Sequence, residues 1–212
     1  MRKIRTSLVT ITLLIILSAF FTPIMETTDS GESALIEFLN EYLAVKYSDH
    51  NLNEVLYVAV VRQKLYHVRN GKLYAEYDIS TSSNGVGSAI GSSKTPTGLH
   101  IIRQKIGDAV PIGGVFKNRN FNGEVIDLNT NDPDIQKDHI TSRIMHLQGL
   151  ETGSNKGEGV DSYERCIYIH GTHQEHLIGQ PASHGCIRMR NKEVIELYNN
   201  VEEGTYVVIL NN

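Results

Sequence analysis

The chain is predicted to fold as a mainly β domain with peripheral helices and a long loop insertion, and three observations carry that expectation. From Leu56 to Ile79 the apolar residues come in alternating or short blocks of strand length, separated by turn residues. Helical spacing is confined to two flanking stretches, around Leu35–Leu43 and Val194–Val201. The first hundred residues show no strand–helix–strand rhythm, so a doubly wound parallel sheet is not expected. With 212 residues, 40% of them hydrophobic and none of them Trp, the chain can bury one core of ordinary size.

Residues 1–25 open with Arg2, Lys3 and Arg5 and continue as an uncharged run from Thr6 to Met25, the pattern of an export signal. Ala19-Phe20-Phe21 is a poor small-x-small cleavage site and the run is long enough to span a bilayer. A removed signal peptide and a retained signal anchor therefore both stay open. Basic residues before the run, with Glu26, Asp29 and Glu32 after it, favour translocation of the downstream chain. The working domain is thus expected in the periplasm or on the outer face of the membrane or cell wall, touching the membrane only through this segment. Without Arg2, Lys3 and Arg5 the chain holds 17 basic against 24 acidic residues, a net charge of −7. That balance argues against nucleic acid or anionic lipid as the main partner.

Residues 26–54 read as a helical linker, with Leu35, Ile36, Phe38, Leu39, Tyr42 and Leu43 on one face and Glu32, Glu37 and Glu41 making a packed or solvated tether. Strands are expected at Leu56–Val61, Leu65–Val68 and Leu73–Ile79, the last two joined by a tight Asn70-Gly71 turn. Thr95-Pro96-Thr97-Gly98 is a turn leading into a short strand at Leu99–Ile102. Residues 117–165, rich in Asn, Asp and Gly, read as a lid-like insertion over one face of the sheet, with helical spacing only around Ile135–Leu147. Cys166–Ile169 restarts the sheet. Asn191 can then cap a helix that ends at Gly204, and Thr205–Leu210 is the closing strand.

Several motif fragments fail on spacing. Gly85-x-Gly87-x-x-x-Gly91 has the wrong interval for a dinucleotide loop, and no helix comes between it and Pro96. Gly153–Gly159 holds Lys156 but no Gly-Lys-Ser/Thr. Asp127-x-Asn129-x-Asn131 begins like a calcium loop, yet Asp132 stands where Gly is required and Asp138 replaces the bidentate Glu. Zinc has more material, since His170, His173, His176, His184 and Cys186 fall close together. Gly171, Gly179 and Pro181 disfavour a helix that would align them, and no metal is expected.

What remains is His170, in Ile169-His170-Gly171-Thr172, sixteen residues before Cys186, in Ser183-His184-Gly185-Cys186-Ile187-Arg188. A thiol attacks a carbonyl only as thiolate, so a nucleophilic Cys needs a nearby base or positive charge. The flanking glycines allow close approach of a substrate backbone and an oxyanion pocket of N–H groups. A buried thiol in a glycine-rich loop is the bland alternative, but His184 and Arg188 are costly fillers for a core. In an exported chain a disulfide with Cys166 must also be weighed. If Cys166–His170 is extended, about 13 Å separates Cys166 from His170, whereas a disulfide needs Cα atoms about 5.5 Å apart. Cys166 is therefore expected as a buried, free strand thiol.

Ile169-His170-Gly171-Thr172, then Ile178-Gly179-x-Pro181, then Ser183-His184-Gly185-Cys186-Ile187-Arg188-Met189 resembles the signature of the L,D-transpeptidase (YkuD-type) catalytic domain, and the early strands with Thr95-Pro96-Thr97-Gly98 are similar to its first part. The resemblance covers residues 55–211 and implies a sandwich or barrel of mixed sheets. It makes Cys186 the nucleophile, His170 the general base and acid, and the Gly171 carbonyl the group that orients His170. Ser183, His184 and Gly185, with the Cys186 N–H, would line the oxyanion and substrate site. Arg188 would either hold a substrate carboxylate or brace the loop. The implied donor is a peptidoglycan stem tetrapeptide, cut between its third-position diamino acid and D-alanine through a thioester. The acceptor is an amine of another stem, a lysine of a wall-anchored protein, or water. Carbapenem-type inhibitors are implied, and no cofactor. A sortase-like or other exported cysteine peptidase, and a wall-binding module without turnover, are the competing readings.

Overall fold

The computed structural model describes residues 30–128 and 138–212. The export segment expected at 1–25 and the centre of the failed calcium loop lie outside these residues. Helix α1 (Ser30–Lys46) leads into strands β1 (Glu54–Ala59), β2 (Lys64–Arg69), β3 (Lys72–Asp78), β4 (Gly98–Ile106), β5 (Gly114–Lys117), β6 (Asn120–Val125) and β7 (Ile140–Gly149). Strands β8 (Tyr168–Thr172) and β9 (Ile187–Met189), helix α2 (Asn191–Asn200) and strand β10 (Tyr206–Leu210) complete it, with a 3-10 turn at Glu175–Leu177. The mainly β expectation holds.

The strands form a mixed sheet in the order β3-β2-β1-β10-β4-β7-β5-β6, with β8 and β9 branching from β7. β2 and β3 pair antiparallel across Asn70 and Gly71, whose φ of 50° and 71° suit the two-residue hairpin turn. β1 lies parallel to β10, the last strand in the chain. Along β7 the two edges are shared out: Ile144 faces Ile106 of β4 on one side and His170 of β8 on the other, while Ile140 faces Phe116 of β5 and Thr172 of β8.

Strand alternation divides the core in two. Leu56, Val58, Val207 and Ile209 pack with Ile169, Ile187, Met189 and the α2 residues Val194, Leu197 and Tyr198. The intervening Val55, Tyr57, Ala59 and Val208 pack with Leu35, Ile36, Leu39, Leu43 and Tyr47 at the other face. Helix α1 is thus docked on the sheet, and its neighbour Tyr47 donates its hydroxyl to Glu151 Oε1 at 2.6 Å. Phe38, expected on the packed face, is 50% exposed. Among the described residues no helix is long and apolar enough to cross a membrane.

The 117–165 stretch departs most from expectation. Of the stretch with helical spacing around Ile135–Leu147, residues 135–137 lie outside the described residues, and residues 140–147 belong to strand β7, which runs between β4 and β8. β7 buries Thr141, Ser142, Arg143 and His146 beside its apolar residues, so the two-residue alternation of a strand is missing, while Ile140, Ile144 and Leu147 fall at intervals of four and three as on a helix. An insertion over one face therefore does not describe 140–149. Cys166, expected as a buried strand thiol, is exposed and lies in the turn before β8, because its positive φ of 55° interrupts any extended run. Asn191, expected as a cap, is the first residue of α2 behind Arg190, and its side chain is spent elsewhere.

One buried histidine ties this fold to pH. His100 on β4 is fully buried, with Nδ1 3.0 Å from the Gly98 carbonyl oxygen and Nε2 3.0 Å from Ser162 Oγ. Burial drives its pKa from 6.5 down to about 4. The unfolded chain takes up this proton below pH 6.5 and the folded one only near 4, so stability is full above that window and falls as pH drops through it. The shift from 6.5 to about 4 corresponds to roughly 3 kcal/mol. Thermal midpoints are expected to fall steeply between about pH 7 and pH 4; an unchanged midpoint would contradict a neutral buried His100.

Candidate active site

Strands β8 and β9 run parallel, with Ile169 opposite Ile187 and His170 opposite Arg188. Ile169 and Ile187 enter the core, so His170 and Arg188 share the other face, and Cys186, one residue before β9, joins them there by strand alternation. The sixteen-residue gap is a loop through the Glu175–Leu177 turn that returns the chain beside its own start. His170 and Cys186 are therefore held by adjacent strands of one sheet.

His170 is 2% exposed, and its Nδ1 donates to the Gly171 carbonyl at 2.7 Å. Burial lowers its pKa; the Asp138 carboxylate and the Gly171 carbonyl oppose that, and the Arg188 charge adds to it. Gly171 has no room for a side chain, because a Cβ would sit 2.7 Å from both Asn191 Oδ1 and the Thr141 carbonyl. Asn191 is the organiser here: its Oδ1 accepts from the Thr141 and Ser142 hydroxyls at 2.6 Å, and its Nδ2 donates to the Thr172 carbonyl and Glu175 at 2.7 Å. Gly171→Ala is expected to cost about 1–3 kcal/mol by overpacking and to displace the acceptor that orients His170. A wild-type denaturation midpoint in that variant would contradict the tight packing.

Cys186 keeps part of its surface open to solvent. Its Sγ donates to the Cys166 carbonyl at 3.5 Å and accepts from the Tyr168 N–H at 3.4 Å. Burial pushes its pKa up to about 12, with the Tyr168 N–H and the Arg165 charge acting against burial and Asp138 acting with it. With the thiol pKa raised and the imidazole pKa lowered, both groups rest neutral at pH 7.

The neighbouring motif residues divide into loop braces and one exposed group. Ser183 Oγ donates to the Cys186 carbonyl at 2.6 Å and accepts from the Gly185 N–H at 3.2 Å. Ser183 is 1% exposed, so it shapes the loop rather than lining a substrate surface, and the Gly185 N–H is already engaged. Thr95, from the Thr-Pro turn, donates its hydroxyl to the Gly185 carbonyl at 3.1 Å, which ties that turn to the cysteine loop. His184 is largely exposed and lies 3.8 Å from Asp138 Oδ2. Arg188 is 0% exposed: Nη1 meets Asp138 Oδ1 at 3.1 Å and Gln174 Oε1 at 2.9 Å, and Nη2 meets Ser80 Oγ at 3.0 Å. Of the two roles expected for Arg188, bracing is the one these contacts support.

Asp138, Gln174, Ser80 and Asn191 went unrecognised as site residues in the sequence. Asp138 reaches the site only because β7 pairs with β8, so nothing local marks it. Asn191 carries a cap signal that conceals its real contacts. The histidines considered for zinc are dispersed, with His173 stacked edge-on to His139 at 5.2 Å and His176 in the 3-10 turn. Among the described residues no three His, Cys, Asp or Glu side chains gather as a metal site.

A family model of the L,D-transpeptidase catalytic domain (YkuD) matches residues 53–209. The chain belongs to this family. Of curated relatives, it is similar to the L,D-transpeptidase-named YqjB of Bacillus subtilis, 47% identical over 45 residues, 21% of this chain and 26% of that protein. It is also similar to YkuD of Bacillus subtilis, 56% identical over 41 residues, 19% of this chain and 25% of that protein. The matched stretch spans about a quarter of each relative. Among solved structures, L,D-transpeptidase 3 of Mycobacterium tuberculosis in complex with a faropenem-derived adduct overlaps with a TM-score of 0.47 at 13% identity, covering 74% of this chain and 60% of that one. The LdtMt1 complex with imipenem overlaps with a TM-score of 0.45 at 16% identity, covering 74% and 59%. The L,D-transpeptidase domain here is thus assigned by its 53–209 match, and no residue role comes from the structural overlaps.

Proposed function

We propose that this L,D-transpeptidase domain is a peptidoglycan acyltransferase with Cys186 as nucleophile and His170 as general base and acid. The observation that carries the reading is the pairing of β8 with β9, which sets His170 and Cys186 on one face while the Gly171 carbonyl fixes the imidazole through Nδ1. Holding Nδ1–H in this way leaves Nε2 as the basic nitrogen, the task that a carboxylate performs in Ser-His-Asp triads.

In the proposed cycle His170 Nε2 takes the Cys186 proton as the thiol turns from the Cys166 carbonyl toward substrate. The thiolate attacks the carbonyl carbon between the diamino acid and D-alanine of a stem tetrapeptide. The Cys186 N–H, next to the exposed His184, supports the developing oxyanion. Collapse breaks the C–N bond, His170 returns the proton to the leaving D-alanine nitrogen, and the acyl group remains as a thioester. An amine then attacks, losing its proton to His170, and the thiolate leaves. A second stem as acceptor gives a 3–3 crosslink, a wall-anchored protein gives attachment, and water gives L,D-carboxypeptidase activity. Arg188 holds the β9 end of the site through Asp138, Gln174 and Ser80 and takes no part in binding the substrate carboxylate.

The apolar run at 6–25 supports the reading of an exported domain that works on the outer side of the membrane with the wall as its partner. Inhibition by carbapenem-type β-lactams is proposed on the same nucleophile, since a thiolate that opens a stem-peptide amide can also open a strained lactam amide.

The pH profile is set by the neutral resting pair. Activity requires unprotonated His170, whose pKa lies below 6.5, so kcat/KM should fall only below that pH and stay level from about pH 7 to pH 9. An acid limb centred above about pH 7 would contradict it. The function itself is tested by incubating the protein with disaccharide-tetrapeptide and an amine acceptor and monitoring mass. Release of D-alanine with formation of dimer or amine adduct is expected. Retention without turnover would favour a wall-binding module, and cleavage of protein substrates alone would favour a sortase-like peptidase.

A further inference from the structure

Extended-strand spacing puts Cys166 far from the site, and the structure overturns that. Regular strand begins only at Tyr168, and Cys166 sits in the preceding turn with φ 55° and an exposed, free thiol. The turn folds the chain back under the cysteine loop. Cys186 Sγ lies 3.5 Å from the Cys166 carbonyl oxygen, and the Tyr168 N–H, two residues on, is 3.4 Å from the same sulfur. Since a carbonyl oxygen is about 2.4 Å from its own Cα, Cys166 Cα lies within about 6 Å of Cys186 Sγ. Closing a disulfide, whose Cα atoms are usually about 4.4–6.8 Å apart, needs the Cys166 side chain to turn from the Glu164 carbonyl oxygen, now 3.8 Å from its Sγ, toward that sulfur. Both cysteines meet solvent, Cys166 as an exposed residue and Cys186 in part. The Arg165 guanidinium, beside Cys166, also bears electrostatically on Cys186 and favours its thiolate.

We propose that Cys166 and Cys186 are a modification site for small-molecule disulfides, which close the pair reversibly into an intramolecular disulfide and mask the thiol at position 186. The Cys166 thiolate attacks one sulfur of R–S–S–R; that bond breaks, and the first R–S⁻ leaves and takes up the proton Cys166 lost. The Cys186 thiolate, its proton accepted by His170, then attacks the Cys166 sulfur of the mixed disulfide and expels the second R–S⁻, which takes that proton through solvent. Two protein thiols are oxidised to one disulfide, and the reagent is reduced to two thiols. The exposed thiol is the entry point, and juxtaposition in the turn makes the second step intramolecular. A thiol in excess runs both steps backwards and restores Cys186. The reaction needs the two thiols and not the transpeptidase reading, although its consequence for turnover rests on that reading.

The test treats the reduced full chain with excess oxidised glutathione and reads intact mass under denaturing, non-reducing conditions, free thiol content and tetrapeptide turnover. The expected product is monomer lighter by two hydrogens and carrying no glutathione, with both thiols and turnover lost and all three restored by dithiothreitol. Cys166→Ser should keep turnover in the reduced state and show at most a single glutathione on Cys186; Cys166→Ala gives the same reading should the serine variant fold poorly. Wild-type protein that gains glutathione without any two-hydrogen loss, or that bridges between chains, would overturn the proposal. A bridge that forms in protein with no turnover even when reduced would sink the transpeptidase reading and leave the thiol pair standing.

Discussion

Cys186→Ala is expected to reduce release of D-alanine from a stem tetrapeptide by roughly 10⁴-fold or more while leaving the denaturation midpoint close to wild type. The size reflects the route: without the sulfur no thioester forms, and binding plus oxyanion support cannot replace a missing covalent step. The folding cost is small because Cys186 is only partly buried and packs at the edge of a minor cluster with Phe116, Ile144 and Tyr168. Steady-state turnover read by mass, with urea denaturation of the same preparation, checks both halves. Turnover within about tenfold of wild type would remove Cys186 from the mechanism.

Arg188→Ala is expected to have the largest effect on stability, about 3–5 kcal/mol, because it removes a fully buried guanidinium and leaves Asp138, Gln174 and Ser80 without their shared partner. Asp138 also raises the His170 pKa, so loss of its anchor should perturb the imidazole as well. The two roles open to Arg188 separate cleanly here. A residue that clamps substrate would raise KM with stability intact, whereas a brace lowers the denaturation midpoint. Unchanged stability with a raised KM would return Arg188 to the substrate site.

Much of this domain is legible in its sequence, for identifiable reasons. Hairpin β2–β3 declares itself through Asn70-Gly71, because few residue pairs accept two positive φ values in succession. His170, Gly171 and Cys186 are legible because their chemistry lies in short contiguous motifs. β7 is misread because Thr141, Ser142, Arg143 and His146 are buried in it beside apolar residues, which removes the alternation that marks strands, while Ile140, Ile144 and Leu147 fall at helical intervals. Asp138 and Gln174 are invisible for a different reason: they matter through pairing of β7 with β8 and through the loop between β8 and β9, and no local pattern encodes such contacts. Cys166 shows the limit of spacing arguments most sharply. The distance of about 13 Å runs from Cys166 to His170, but Cys186 enters β9 opposite the start of β8, and there its sulfur meets the Cys166 carbonyl.

The central claim is that Cys186 carries the acyl group. It is tested most directly by quenching the protein with acid soon after mixing it with disaccharide-tetrapeptide, digesting it, and mapping the acylated peptide by mass. The expected result is a thioester on the peptide containing Cys186, holding the donor without its terminal D-alanine, absent from Cys186→Ala and cleared when an amine acceptor is added. D-alanine release by the Cys186→Ala protein, or an acyl group mapped to any other residue, would contradict it.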